Sequence, residues 1–181
     1  AHIPGVKVVI PSGPANARAL LTAAIRDPDP VVFMEPKCSY RAFRENVPEE
    51  PQVMEIGKAQ VVQEGTDLTV VSWGAMMRPT IAAVDQVKEA HGMSIELIDL
   101  LTISPMDTDT IIESVKKTGR CVVVQEAPKS FSPASEIIAT INDEALMYLE
   151  APVKRITGFD VVTPFFNKEQ AYLPNERRVC Q

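Results

Sequence analysis

The chain has 181 residues, 45% of them hydrophobic and 23% charged, a composition that supports a packed core and excludes disorder or a fibrous repeat. That length suffices for one generous domain, or one domain plus the end of another, and buries roughly two thirds of its unfolded surface. A net charge of −6 and a pI near 5.0 argue against a nucleic-acid partner, and the absence of any long apolar run argues against a membrane span and for a soluble protein.

The elements follow in chain order. Val6–Ile10 is a short β-branched run closed by Pro11, and the Ala/Leu-rich stretch from Pro14 to Arg26 reads as a helix with proline in its first turn. Asp27-Pro-Asp-Pro30 stops that helix, because the residue before each proline is pushed out of helical geometry. Val31–Met34 is expected to be a second, buried strand, completing a βαβ unit.

From Tyr40 to Pro51 the chain is charged and proline-containing without apolar period, as in an inter-domain linker. Leu68–Ser72 is a strand, and Pro79–Ala90 a helix stopped by Gly92, with Ile81, Val84 and Val87 assigned to one face. Ile95–Leu100 is a strand and Asp107–Thr118 a helix with Ile111, Ile112 and Val115 inward. Cys121–Val124 is the next strand, Ser132 to about Leu146 the next helix, and Val153–Ile156 the last strand. The tail from Gly158 shows no period and reads as an extended arm lying on a partner.

Strands alternating with helices predict an α/β domain with a mostly parallel sheet and helices on both faces. Ligands in such sheets collect beyond the strand carboxyl ends, which here read Ser72–Ala75, Asp99–Thr102 and Gln125–Pro128.

Self-contained chemistry is hard to find. The eight glycines form neither G-x-G-x-x-G nor a P-loop, and no Gly-x-Ser-x-Gly elbow occurs. His2 stands near the start and His91 at a helix end, and Cys38, Cys121 and Cys180 lie too far apart to suggest a metal cluster or disulfide framework. Cys121 is expected to be a buried, inert thiol. Glu49, Glu50, Asp107 and Asp109 read as solvated or capping acids, Asp107 at the start of its helix. No basic and apolar leader is visible, and the chain does not open with Met.

Three separated phrases point further: Glu35-Pro-Lys-Cys-Ser-Tyr-Arg41, Ile98-Asp-Leu-Leu-Thr-Ile-Ser-Pro105 and Gln125-Glu-Ala-Pro-Lys129, with Gly65–Val71, Lys117–Arg120 and Glu150–Pro152 in support. Together they resemble the β subunit of thiamine-diphosphate-dependent 2-oxoacid dehydrogenases, closest to the branched-chain type. The resemblance implies the end of a pyrimidine-binding domain over 1–45, a linker over 46–54 and a transketolase C-terminal-like domain over 55–181. It implies a chain corresponding to the back half of the subunit. The family's ylide-generating glutamate and active-site histidine would lie upstream of Ala1, so no catalytic or cofactor-binding residue carries over.

Thiamine diphosphate and Mg²⁺ belong, on this resemblance, to the full enzyme, and the isolated chain is expected to be inactive. The expected partners are the E1 α subunit, a second E1 β subunit and the E2 subunit-binding domain, in the mitochondrial matrix or alternatively a bacterial cytoplasm. A helix-terminal loop of the branched-chain subunits is associated with a monovalent cation such as K⁺, and Ala24, Asp27 and Asp29 match its positions. Two departures stand out: Leu101 where the family usually has Arg, and Gln125 with Ser130–Pro133 where it has a His followed by Thr-Gly-Gly-Phe. They raise a competing reading, a stand-alone non-catalytic α/β interaction module; the E1 β subunit of a pyruvate or acetoin dehydrogenase is a further alternative, and another thiamine enzyme such as a transketolase fits the phrases less well.

Overall fold

A computed structural model describes residues 1–50, 52–165 and 168–181. It contains two compact units, the first comprising 1–60, 73–75 and 99–107, the second 61–72, 76–98 and 108–181.

In the first unit β1 (Lys7–Val9) leads through α1 (Pro14–Arg26) to β2 (Val31–Phe33), and β1 and β2 pair in parallel with Val8 opposite Val32. This is the expected βαβ. It gains an unforeseen third strand, β6 (Thr102–Ser104), antiparallel to β1, giving the order β2-β1-β6. Val9, Leu20, Leu100 and Leu101 are fully buried and form its core. The outermost strand is not buried as expected: Val32 is 46% and Met34 49% exposed, since β2 has a strand neighbour on one side only.

The proline-containing segment after Tyr40 is tied to α1. Glu45 Oε2 accepts the Ala15 N–H at 3.0 Å, and Arg18 donates to the carbonyls of Pro48 (2.6 Å) and Glu49 (3.1 Å). First-turn N–H groups lack helical acceptors, and Glu45 meets that need.

The second unit carries a five-stranded sheet ordered β3-β5-β4-β7-β8, from β3 (Gln60–Gln63), β4 (Leu68–Ser72), β5 (Ile95–Asp99), β7 (Cys121–Pro128) and β8 (Lys154–Gly158), the end residues Gln60 and Asp99 being counted with the first unit. β4 with β7 and β7 with β8 are parallel. The intervening helices are α2 (Met77–His91), α3 (Thr108–Thr118) and α4 (Pro133–Ala145).

α3 buries Ile111, Ile112 and Val115, and α4 buries Ala134, Ile137, Ile141 and Ala145, each at the three- and four-residue steps of one helical stripe. On α2 the inward residues are Met77, Thr80, Ala83 and Val84, so Ile81, assigned inward from its spacing, lies outside at 40% exposure. Gly92 and Gly119, both left-handed (φ 66° and 69°), end α2 and α3, a conformation that a Cβ disfavours.

The tail is not an extended arm throughout. It forms α5 (Glu169–Tyr172) and α6 (Glu176–Val179), and α6 packs on α2 of the same unit. Arg178 holds it there by donating to the carbonyls of Tyr172 (3.1 Å) and Thr157 (2.6 Å). Part of the tail, residues 166 and 167, lies outside the described residues.

Candidate functional site

The polar group with the most unusual environment is Asp99, at the carboxyl end of β5 and only 1% exposed. Ser12 Oγ–H donates to its Oδ2 at 2.5 Å, and the Leu101 N–H donates to its Oδ1 at 3.3 Å. Asn16 extends the chain of bonds: its Nδ2 donates to Ser12 Oγ at 2.8 Å, while its Oδ1 accepts the N–H groups of Ser12 (3.1 Å) and Gly13 (3.0 Å). The first turn of α1 is thereby joined to the turn after β5.

Burial drives the Asp99 carboxyl up to about 7, against the opposing pull of the Ser12 and Leu101 bonds. A buried carboxyl poised near neutrality at a strand carboxyl end is the environment in which functional acids are found. Its hydrogen-bond partners are the Ser12 hydroxyl and the Leu101 N–H, with Asn16 reached only through Ser12; no imidazole is among them, so the group holds a proton in a local network and does not form a serine–histidine pair. The bond to Leu101 has a second effect: Leu101 is a buried leucine at φ 56°, and the Asp99 side chain braces this strained turn.

The other strand ends spend their polar groups internally. Ser72 Oγ donates to the Val124 carbonyl at 3.1 Å. Gln125, wholly buried, donates from Nε2 to the carbonyls of Pro128 (2.9 Å) and Ala127 (3.2 Å) and accepts the Ala134 N–H at Oε1 (3.1 Å). It therefore caps α4, a role that Ser132, the residue at the N-cap position, does not perform with its side chain. Beside it Ser130 donates from both N and Oγ to Asp160 (3.0 and 2.8 Å), and Phe131 adopts φ 51° with its ring fully exposed.

Ala24, Asp27 and Asp29 do come together at the end of α1, and the positive charge among them is Lys7. Its Nζ lies 2.8 Å from both oxygens of Asp27 and 3.1 Å from Asp29 Oδ2, while the Ala24 carbonyl accepts the Asp27 N–H at 3.4 Å. The hydrogen bonds from Lys7 and the Asp29 N–H hold Asp27 below the usual carboxylate range. Within the Glu35–Arg41 phrase, the Tyr40 hydroxyl donates to Glu35 at 2.5 Å, which pushes the phenol up. Cys121 is buried, its thiol pushed up to about 12, and all three cysteines are free. His91 is exposed at the end of α2.

Residues 57–179 match the family described as transketolase, C-terminal domain, and residues 1–42 match the transketolase pyrimidine-binding domain. The chain belongs to the transketolase C-terminal domain family. Among relatives of this family, the pyruvate dehydrogenase E1 component subunit beta of Bacillus subtilis is 51% identical over 181 residues, covering 100% of this chain and 55% of the relative. The mitochondrial 2-oxoisovalerate dehydrogenase subunit beta of Dictyostelium discoideum is 49% identical over 174 residues, covering 96% of this chain and 47% of the relative. The chain thus spans about half the length of the curated relatives it matches. A solved structure described as a split gene transketolase, inactive beta4 tetramer, superposes with a TM-score of 0.79 at 23% identity, over 99% of this chain and 56% of that one, and shows the same fold.

Ser12 and Asn16 were not singled out from the sequence. Their signal is local: a Ser-Gly-Pro entry to a helix with Asn three residues after the glycine, a variant of the reciprocal capping pattern. The partnership with Asp99, 87 residues away, has no local signal.

Proposed function

We propose that this chain forms the end of the pyrimidine-binding domain and the C-terminal domain of the β subunit of a thiamine-diphosphate-dependent 2-oxoacid dehydrogenase. The observation that carries the reading is 51% identity along all 181 residues to a pyruvate dehydrogenase E1 β subunit, with a pyrimidine-binding match over 1–42 followed by a C-terminal-domain match over 57–179 in this chain. On this reading the domains run over 1–45 and 55–181 with a linker at 46–54.

The substrate is a 2-oxoacid. Branched-chain specificity, expected from the sequence phrases, competes with pyruvate, since relatives named for the two differ by only 51% against 49% identity. The two relatives likewise leave a bacterial cytoplasm and a mitochondrial matrix as the proposed settings.

Thiamine diphosphate would supply the carbanion chemistry of the assembled enzyme. The family resemblance puts the Mg²⁺-diphosphate end of the cofactor outside this chain. That end is assigned to the E1 α subunit, and this chain to contacts with α, with a second β and with the E2 subunit-binding domain. No helix among the described residues is long and apolar enough to cross a membrane.

The test is reconstitution of the complete β subunit carrying these 181 residues with E1 α and lipoyl-E2, followed by 2-oxoacid-dependent reductive acylation. Turnover of pyruvate or of 3-methyl-2-oxobutanoate selects the substrate; turnover of no 2-oxoacid removes the reading. The isolated chain is expected to turn over no 2-oxoacid in the presence of thiamine diphosphate. The competing interaction-module reading draws on Leu101 and Gln125, both fully buried and committed to internal structure.

A monovalent cation at Ala24, Asp27 and Asp29 is proposed in a form that leaves Lys7 in place and uses backbone carbonyls at the helix end. A rise in Tm in KCl over NaCl at equal ionic strength, lost in Asp27→Asn, is the expected result. Equal Tm in the two salts would remove it.

A further inference from the structure

The second unit has a cleft of about 710 Å³ along β8, the outermost strand of its sheet, lined by Lys129, Lys154, Arg155 and Arg178 with Phe159 and Asp160 among the other walls. Four cations around one cavity stand out in a chain of net charge −6. Among the described residues no carboxylate lies within salt-bridge reach of Lys154, Arg155 or Arg178. Asp160 spends both oxygens on Ser130.

The two guanidinium groups are held by neutral groups. Arg155 donates from one terminal nitrogen to the Lys129 carbonyl (3.0 Å) and to Ser135 Oγ (2.9 Å). Arg178 is fixed by the carbonyls of Tyr172 and Thr157, with its guanidinium carbon 4.5 Å from the centre of the Phe159 ring. Such partners orient a guanidinium without cancelling its charge, so the ordering is already complete before an anion arrives. Lys154, exposed at the start of β8, adds a third charge. A cavity of this size is in the range of small-molecule sites, and oriented arginines facing an open cleft match the oxygens of a phosphate group.

We propose that this cleft binds a phosphate-bearing small molecule through Lys154, Arg155 and Arg178. The site is independent of the 2-oxoacid dehydrogenase reading, because it uses only side chains of the second unit.

The probe is inorganic pyrophosphate, titrated by calorimetry into the 181-residue chain at fixed ionic strength. Saturable one-site binding is expected. Lys154→Glu, an exposed position whose substitution leaves the fold intact, should weaken it by about tenfold or more, the effect of losing one charged hydrogen bond and gaining a repulsion. Lys88→Glu, on the exposed end of α2, should leave it unchanged. Thermal melts of both variants verify folding. Absence of saturable binding overturns the proposal, as does equal weakening by Lys88→Glu, which would reduce the effect to overall charge. Binding of an Asp/Glu-rich decapeptide with none of pyrophosphate also overturns it and gives the cleft to an extended peptide.

Discussion

Ser12 and Asp99, 87 residues apart, share a part-buried hydrogen bond of 2.5 Å within the first unit, between the entry to α1 and the turn that opens at Asp99. The carboxyl in this bond titrates near 7, whereas in the unfolded chain it titrates near the ordinary 3.8. The native state therefore binds the proton more tightly than the unfolded state. Its contribution to stability is complete below about pH 4 and is lost as pH rises from there through about 7. Asp99→Asn keeps the shape and cannot ionise. It should be more stable than the natural chain at pH 8 by about 1–3 kcal/mol and near parity at pH 4. Urea denaturation at the two pH values measures this, and a difference that does not change with pH would sink the account.

Glu96 and Lys117 give the opposite dependence. Burial pushes the Glu96 carboxyl up, but Lys117, Ser114 and the Gly65 N–H outweigh it, and the group ends below the ordinary carboxylate range. Lys117 bridges to Glu96 and to Glu64 (3.3 Å), and its ammonium is held above its ordinary value by Glu96 first. This pair stabilises above the unfolded carboxylate value, near 4.5, and is lost as pH falls below it; the lysine contribution is lost only as pH rises past 10.5. Lys117→Met should cost about 2–3 kcal/mol at pH 7, at the low end for a broken buried pair because the ammonium is 41% exposed. The loss should shrink at pH 4, where protonated Glu96 needs no partner. An equal loss at both pH values in urea titrations would contradict it.

Legibility followed burial and periodicity. α1 begins at Pro14 and ends at Arg26 as read, and β4 spans Leu68–Ser72 as read, because proline stops and continuous β-branched runs are local signals. β3 was missed: Val61 and Val62 are both exposed (37% and 45%), so the segment lacks the alternation of a half-buried strand. β6 was missed because three residues are too few to carry a period, and their pairing with β1 is set by distant sequence. The tail helices, four residues each, are too short for a helical period and depend on Arg178 and buried Tyr172. Of the candidate site, Asp99 and Gln125 were visible at strand ends, while their partners Ser12 and Ala134 were not.

Gln125 donates to the Ala127 and Pro128 carbonyls and accepts the Ala134 N–H. Gln125→Ala strips the Ala134 N–H of its acceptor and opens a gap in a site of zero exposure. A loss of about 2–4 kcal/mol is expected, combining an unsatisfied buried donor with lost packing. Gln125→His, the residue that the resemblance expects, retains one acceptor and one donor and should recover about half. Thermal denaturation of the two variants decides it. Equal Tm for natural chain and alanine variant would show that the amide does not cap α4.

Tyr172 has a buried hydroxyl without a hydrogen-bond partner among the described residues. Its ring meets Phe159 edge to face at 6.4 Å, so the aromatic body packs while the oxygen forfeits its solvation. Tyr172→Phe keeps the ring and deletes the stranded group, and should raise stability by about 1 kcal/mol. The neighbouring glycine sets the opposite expectation. A Cβ at Gly158 would stand 2.6 Å from both the Glu126 carbonyl and the Tyr172 oxygen. The carbonyl is backbone and cannot swing away, so Gly158→Ala should cost about 1–3 kcal/mol through overpacking. In the double variant the loss should be partly relieved, because one of the two clashing atoms is gone. A double-mutant cycle by thermal denaturation reads that coupling directly. Strict additivity would mean that the carbonyl alone sets the cost and that the Tyr172 oxygen is not pressed against Gly158.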